Sequence, residues 1–188
     1  MSDKVVLDHG DLRRALVRIA HEIVERDDEG GPVALVGIHT RGAVLSRRLH
    51  ALVAELGGGE VPLGEIDISF YRDDVGRRER LAAPVVHSSN LDFELEGRTV
   101  ILVDDVLYTG RTVRAAIDAL FDYGRPDRVQ LAVLADRGHR ELPIRPDYVG
   151  KNLPTAPGER VNVRLEETDG RDEVAIVPAG EFAMEEEA

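Results

Sequence analysis

The sequence predicts an α/β fold: a parallel-rich, doubly wound sheet flanked by helices, with a flexible loop and a C-terminal β-hairpin. Three observations carry that expectation. Val33 to Ile38 (VALVGI), Val100 to Val103 (VILV) and Val129 to Leu134 (VQLAVL) are apolar runs of the kind buried on both faces in a parallel sheet. Helix-periodic segments separate them, so strand alternates with helix along the chain. Near the C-terminus two short apolar runs flank a polar turn, which gives the hairpin.

The first helix is expected over Leu12 to Arg26, where Leu12, Ala15, Leu16, Ile19, Ala20, Ile23 and Val24 form one apolar stripe. Either Asp11 or Asp8 suits its N-cap. Asp27 to Pro32 is a polar, glycine-containing turn into the strand Val33 to Ile38. His39-Thr40-Arg41-Gly42 then opens a helix reaching about Leu56, which Gly57-Gly58-Gly59 ends. Ile66, Ile68 and Phe70 alternate with Asp67, Ser69 and Tyr71, predicting a half-exposed strand. The charged stretch from Arg72 to about Glu79 reads as a mobile loop, and Pro84 to Asn90 as an extended return.

The apolar run at Val100 leads straight into Asp104 and Asp105, and Val113, Ala116, Ile117 and Leu120 then fall at helix spacing. After the turn Gly124-Arg125-Pro126 comes the core strand Val129 to Leu134, followed by a loop-rich stretch from Asp136 to Pro157. Val161 to Leu165 and Val174 to Val177 make the hairpin around Asp169-Gly170. One domain is expected over residues 1–180. Residues 181–188, with Glu181 and Glu185 to Glu187, form an acidic tail expected to be disordered.

A chain of 188 residues is long enough for one domain with a full core. No apolar run reaches transmembrane length and no signal peptide stands at Met1, so a cytoplasmic protein with no membrane partner is expected. The absence of cysteine excludes disulfides and thiolate metal sites. A net charge of −12 argues against a wholly nucleic-acid-binding surface but leaves room for a local basic patch.

The chemistry concentrates between Asp104 and Thr112. Thr109 to Thr112 lie where a loop opens a helix, and backbone N–H groups there carry partial positive charge suited to phosphate. Gly110 lets the backbone approach an anion, while the Thr109 and Thr112 hydroxyls and the Arg111 guanidinium add donors. The acids upstream suit sugar hydroxyls, which donate hydrogen bonds, or the neighbourhood of a bound cation. A phosphate cradle beside paired carboxylates describes a phosphorylated ribose. Thr40-Arg41-Gly42 repeats the strand-to-helix cradle.

Strand, double acid, TGRT loop and helix together resemble the 5-phosphoribosyl-1-diphosphate (PRPP) signature of the type I phosphoribosyltransferases. The resemblance implies that fold and a PRPP site made of Thr40, Arg41, Gly42, Asp104, Asp105, Val106, Leu107, Tyr108, Thr109, Gly110, Arg111 and Thr112. Catalytic roles would fall to Asp104, Asp105 and Arg41. Mg²⁺ would arrive through PRPP, with no direct protein ligand. Tyr71, Arg72, Asp73, Asp74, Arg77, Arg78 and Arg80 resemble the closing loop of such enzymes. Asp136 and Arg137 would meet the base.

The likeness is wider than one motif. LRRALVRIAHEIVER, VGIHTRG, GEIDISFYRDD, LADRGHRELPIRPDYVGKN and the hairpin resemble the pyrimidine-operon regulators of this family, from Val5 to Val177. That implies uracil and PRPP as substrates, UMP and pyrophosphate as products, and binding of a pyrimidine-operon mRNA leader promoted by UMP or UTP. It also implies a homodimer or homotetramer. Arg14, Arg18 and His21 share an arc opposite the apolar stripe, with Arg26 beyond, and His139, Arg140, Arg145 and Lys151 add cations elsewhere. Unstacked RNA loop bases and phosphates suit such groups. Val17 stands at the edge of the arc, where family members often carry threonine, so transcription attenuation and translational control stay open. Rival readings are salvage alone, by a uracil or less readily a purine phosphoribosyltransferase, and an RNA regulator whose site only senses UMP.

Overall fold

The computed structural model of the chain describes residues 3–57, 59–69, 71 and 89–178. Its larger sheet is five-stranded and parallel, in the order β3-β2-β4-β5-β6. The strands are β2 (Val33–Ile38), β3 (Leu63–Ile66), β4 (Thr99–Leu107), β5 (Arg128–Asp136) and β6 (Tyr148–Asn152). A smaller antiparallel sheet joins β1 (Lys4–Leu7) to β8 (Glu173–Val177) and β7 (Arg160–Arg164) in the order β1-β8-β7. The α/β class, the parallel sheet and the terminal hairpin are thus as expected, with α4 (Glu166–Asp169) in the hairpin turn.

Burial on both faces explains the apolar runs. On β4, Ile101 and Val103 join the core shared with α1 (His9–Gly30) and α2 (Arg41–Glu55), while Val100 and Leu102 join the core shared with α3 (Arg111–Phe121). On α1 the predicted stripe is the buried face: Leu12, Leu16, Ile19, Ala20 and Ile23 are nearly sealed, and Val24 packs beside them. Asp8, not Asp11, is the N-cap. Asp8 Oδ1 accepts from Asp11 N–H at 2.8 Å, and Asp11 returns a bond to the Asp8 N–H, so both acids share one capping box.

Three elements differ from the sequence expectation. The half-exposed strand at Ile66 to Tyr71 is instead Leu63–Ile66, because the Asp67 carboxylate accepts from Ser69 N–H at 2.8 Å and turns the chain away. β6 lies inside the stretch expected to be loop, and β1 precedes the first helix; both are short and lie at sheet edges. The extended return survives in part as the Asn90–Glu65 bridge. The acidic tail and loop residues Arg72, Asp73, Asp74, Arg77, Arg78 and Arg80 lie outside the described residues.

The carboxyl ends of β2, β4 and β5 lie along one edge of the sheet, where a doubly wound fold offers a binding crevice. Thr40, Asp104 and Asp136 all fall there.

Candidate active site

The turn after β2 and the end of β4 enclose a cleft of about 210 Å³ lined by His39, Thr40, Arg41, Asp104, Asp105 and Thr112, among others. Two glycine positions show how the chain builds it. A Cβ on Gly42 would lie 2.3 Å from the Val103 carbonyl oxygen and 3.1 Å from Asp104 Cα, so only glycine lets the first turn of α2 rest on the acidic end of β4. Gly110 caps α3 with φ 92°, a left-handed conformation that frees the backbone for the turn.

The carboxylates are fixed by their own strand. Asp104 Oδ1 accepts from Asp105 N–H at 2.9 Å, and Asp105 Oδ1 from Val106 N–H at 2.8 Å. Asp104 is only 7% exposed. Burial pushes the Asp105 carboxyl above its usual range, against the opposing pull of backbone donors and the Arg41 charge. Arg41 is half-buried, gives Nη2 to Asp169 at 2.9 Å, and has a buried Nε without a hydrogen-bond partner. His39 pairs with Glu65 at 3.2 Å.

The remaining residues of the expected PRPP set divide by position. Val106 and Thr112 line the cleft with the acids. The Leu107 side chain faces the α3 core, and its carbonyl accepts from Arg137 N–H at 3.1 Å, so it ties two strand ends together. Tyr108 is exposed, and its ring lies 4.0 Å beneath the Arg137 guanidinium. Thr109 Oγ1 accepts from Arg111 N–H at 3.3 Å, while exposed Arg111 reaches Glu141 at 2.6 Å.

At the end of β5, Asp136 accepts from Gly138 N–H at 3.0 Å and pairs with Arg140 at 2.5 Å. Arg140 also donates to the Tyr108 and Ile144 carbonyls, which makes it a clamp for this turn. Arg137 is 5% exposed, gives Nε to Thr155 Oγ1 at 3.2 Å, and has an unpartnered buried Nη2. His139 Nε2 meets the Thr155 carbonyl at 2.6 Å. Arg145, Arg140 and Asp136 line a second groove, of about 530 Å³.

The other basic residues lie on α1 and the β6 edge. Arg14 pairs with Asp11 at 2.7 Å, and Arg18 with Glu22 at 2.7 Å while capping the Val149 and Gly150 carbonyls. Arg26 stands 5.0 Å over the Tyr148 ring, and His21 and Lys151 are exposed. The Arg14 hydrogen bond chiefly holds the Asp11 carboxyl low, and the nearby Lys151 charge adds to it. Sequence reading left out His39, Ile68 and Asp169. His39 stands inside the HTRG run, but nothing near Asp169 signals a contact with a turn 128 residues away.

Fold and cleft define a phosphoribosyl transferase domain, whose family model matches residues 4–168, and the chain belongs to that family. Its sequence is 59% identical over 170 residues to a bifunctional protein PyrR from Roseiflexus sp., covering 90% of this chain and 92% of that protein. A bifunctional protein PyrR from Listeria monocytogenes is 54% identical over 178 residues, covering 94% and 97% respectively. Within the phosphoribosyl transferases, the chain belongs to the PyrR family. A hypoxanthine phosphoribosyl transferase structure from Trypanosoma cruzi superposes with a TM-score of 0.73 at 21% identity, over 98% of this chain and 96% of that one, and shows the shared fold.

Proposed function

We propose that the protein transfers phosphoribose from PRPP to uracil, giving UMP and pyrophosphate, and binds a pyrimidine-operon mRNA leader under uridine-nucleotide control. The observation that carries the enzymatic half is the convergence of Asp104, Asp105, Arg41 and Thr112 on one cleft at the carboxyl edge of the sheet.

In this reading Thr109 to Thr112 receive the 5′-phosphate at the start of α3, where the positive end of the helix dipole favours an anion. Asp104 and Asp105 accept from the ribose hydroxyls. The bond between the anomeric carbon and diphosphate breaks as uracil N1 forms the new bond and gives up its proton. Positive charge then grows on the sugar ring beside two carboxylates, while Arg41 meets the negative charge growing on pyrophosphate. Burial holds the Asp105 carboxyl above its usual range, which suits it to accept the uracil proton. Mg²⁺ carried on PRPP supplies further charge neutralisation of the leaving group. In the same reading the Asp136–Arg137 turn meets the base, supported by the Arg140 clamp that holds it.

The regulatory half rests on the cations of α1 and β6, two elements that Arg18 ties together at the Val149 and Gly150 carbonyls. A homodimer or homotetramer in the cytoplasm fits this reading, and no helix of the described residues is long and apolar enough to cross a membrane. Salvage without RNA control is the second reading. It is favoured by the internal engagement of Arg18 and Arg140, whose guanidinium groups already hold carbonyls and carboxylates.

Two assays test the proposal. Purified protein with PRPP and Mg²⁺ should convert uracil to UMP and leave hypoxanthine unchanged; the opposite preference would refute the base assignment. Labelled pyrimidine-operon leader RNA should bind more tightly with UMP than without, and more tightly than an unrelated RNA. Arg14→Ala with Lys151→Ala should spare UMP synthesis and flatten the salt dependence of RNA binding by about one unit of slope per lost phosphate contact. Arg140 is unsuited to that test because it clamps the base turn. RNA binding unaffected by UMP would leave the salvage reading.

A further inference from the structure

Arg41 and Asp169 come from opposite parts of the fold, the first turn of α2 and the helical turn α4 of the small sheet, and meet at 2.9 Å. We propose that Asp169 is a positioning residue for the diphosphate-binding step, holding Arg41 by one nitrogen so that the rest of its guanidinium is presented to the diphosphate of PRPP. The inference rests on the proposed role of Arg41.

The two partners are anchored unequally. Asp169 Oδ2 accepts from Leu165 N–H at 2.9 Å and from Thr168 Oγ1 at 2.6 Å, which leaves Oδ1 for Arg41. The turn around it is pinned separately to α2: Arg48 donates to Glu167 Oε1 at 2.9 Å and to Asp172 Oδ1 at 2.7 Å. Asp172 Oδ1 also accepts from Glu166 N–H at 2.8 Å, and its other oxygen meets His9 at 3.0 Å. Asp169 therefore keeps its place without Arg41. Its carboxyl lies below the usual range despite the opposing effect of burial, through the Thr168, Leu165 and Arg41 contacts, so it is an anion at neutral pH.

Arg41 has less support. It lines the cleft beside Asp104 and Asp105, and its Nε is buried with no hydrogen-bond partner among the described residues. A buried donor on a cation is costly to leave unmatched, and an anionic oxygen in the cleft is the ligand that would match it. Asp169 fixes one nitrogen of the guanidinium while the side chain lines the cleft, the arrangement expected of a preorganised anion clamp.

The rival expectation is that Asp169 competes with diphosphate for Arg41. Calorimetry on the full chain with pyrophosphate and with Mg²⁺-PRPP separates the two. Asp169→Ala should weaken both ligands by roughly ten- to a hundredfold, as loss of an orienting partner does at metal sites. Asp169→Asn keeps an acceptor oxygen and should recover part of that loss. The KM for PRPP should rise while the KM for uracil stays constant, and in an Arg41→Ala background Asp169→Ala should add nothing. Unchanged or tighter binding in Asp169→Ala overturns the inference, and so does an equal further loss in the Arg41→Ala background. Wild-type protein that binds neither ligand would instead defeat the proposed function itself.

Discussion

The turn after β2 and the turn after β4 both lead a strand into a helix at the same edge of the sheet, yet they are held in different ways. After β4, Gly110 takes a left-handed conformation, and its neighbours Thr109 and Arg111 lean on the Glu141–Leu142 segment. After β2, Gly42 takes its place inside a helix, and what demands glycine is the Val103 carbonyl pressed against it. One turn is shaped by its own backbone, the other by a neighbouring strand. A backbone-shaped turn at the start of a helix suits an anion through the helix dipole. A turn wedged against β4 instead sets the distance between Arg41 and the carboxylates.

The largest effect should come from the ledge both turns share. Asp104→Asn with Asp105→Asn is expected to lower UMP synthesis by roughly two to three orders of magnitude, the range for losing preorganised charge at a reaction centre. Circular dichroism and the unfolding transition should remain those of a folded protein, since amides can still accept the Asp105 and Val106 N–H bonds. Full activity in that variant would mean the two turns do not frame a reaction site.

Stability measurements on the glycines sharpen the contrast. Gly42→Ala would normally gain about 1 kcal/mol of helix propensity. Here the new methyl meets a carbonyl at 2.3 Å, and overpacking of that kind costs about 1–3 kcal/mol. Gly110→Ala should cost about 1–2 kcal/mol through its left-handed backbone, with a lesser contribution from the Ile144 side chain 3.2 Å away. Gly110→Asn should recover part of that loss, because asparagine tolerates positive φ, whereas Gly42→Asn should recover none. Urea unfolding reads all four variants. Equal responses to asparagine would erase the distinction between the turns.

The same distinction explains what the sequence made legible. Val33 to Ile38 is a strand with the predicted bounds, and the motif from Asp104 to Thr112 leads into α3 as its pattern requires. These are local signals, carried by runs of apolar residues and by a glycine in a turn. β1 and β6 escaped because short edge strands carry little pattern of their own, and Gly150 in β6 reads as a breaker until the Leu134 carbonyl 2.4 Å from its missing Cβ is seen. The strand at Ile66 escaped through side-chain competition at Asp67. Arg41 was legible as a cation in a cradle, but its tie to Asp169 spans two sheets and leaves no trace in either local sequence. Arg140 stands in the sequence as one of several loop cations, and only the fold shows that its hydrogen bonds hold the turn after β5.

The smallest expected effect concerns pH and tests whether the ledge is tuned for charge at the expense of stability. Burial raises the folded-state pKa of Asp105 above its ordinary value, so ionising it disfavours the native state. That penalty is fully present above the folded pKa and vanishes as pH falls toward the unfolded value of 3.8. Asp105→Asn carries no such charge and should therefore unfold at a higher urea concentration than wild type at pH 7. The gap should close on acidification as the wild-type carboxyl takes up its proton. Asp172 and Glu167 behave in the opposite sense: their depressed values mean that stability is lost as pH falls through them. Both proteins share that loss, so the difference between their transition midpoints isolates Asp105. A gap that stays constant from pH 7 to 4 would place the carboxylate in a wet, unstrained site, and the turn after β2 would then frame the acids without desolvating them.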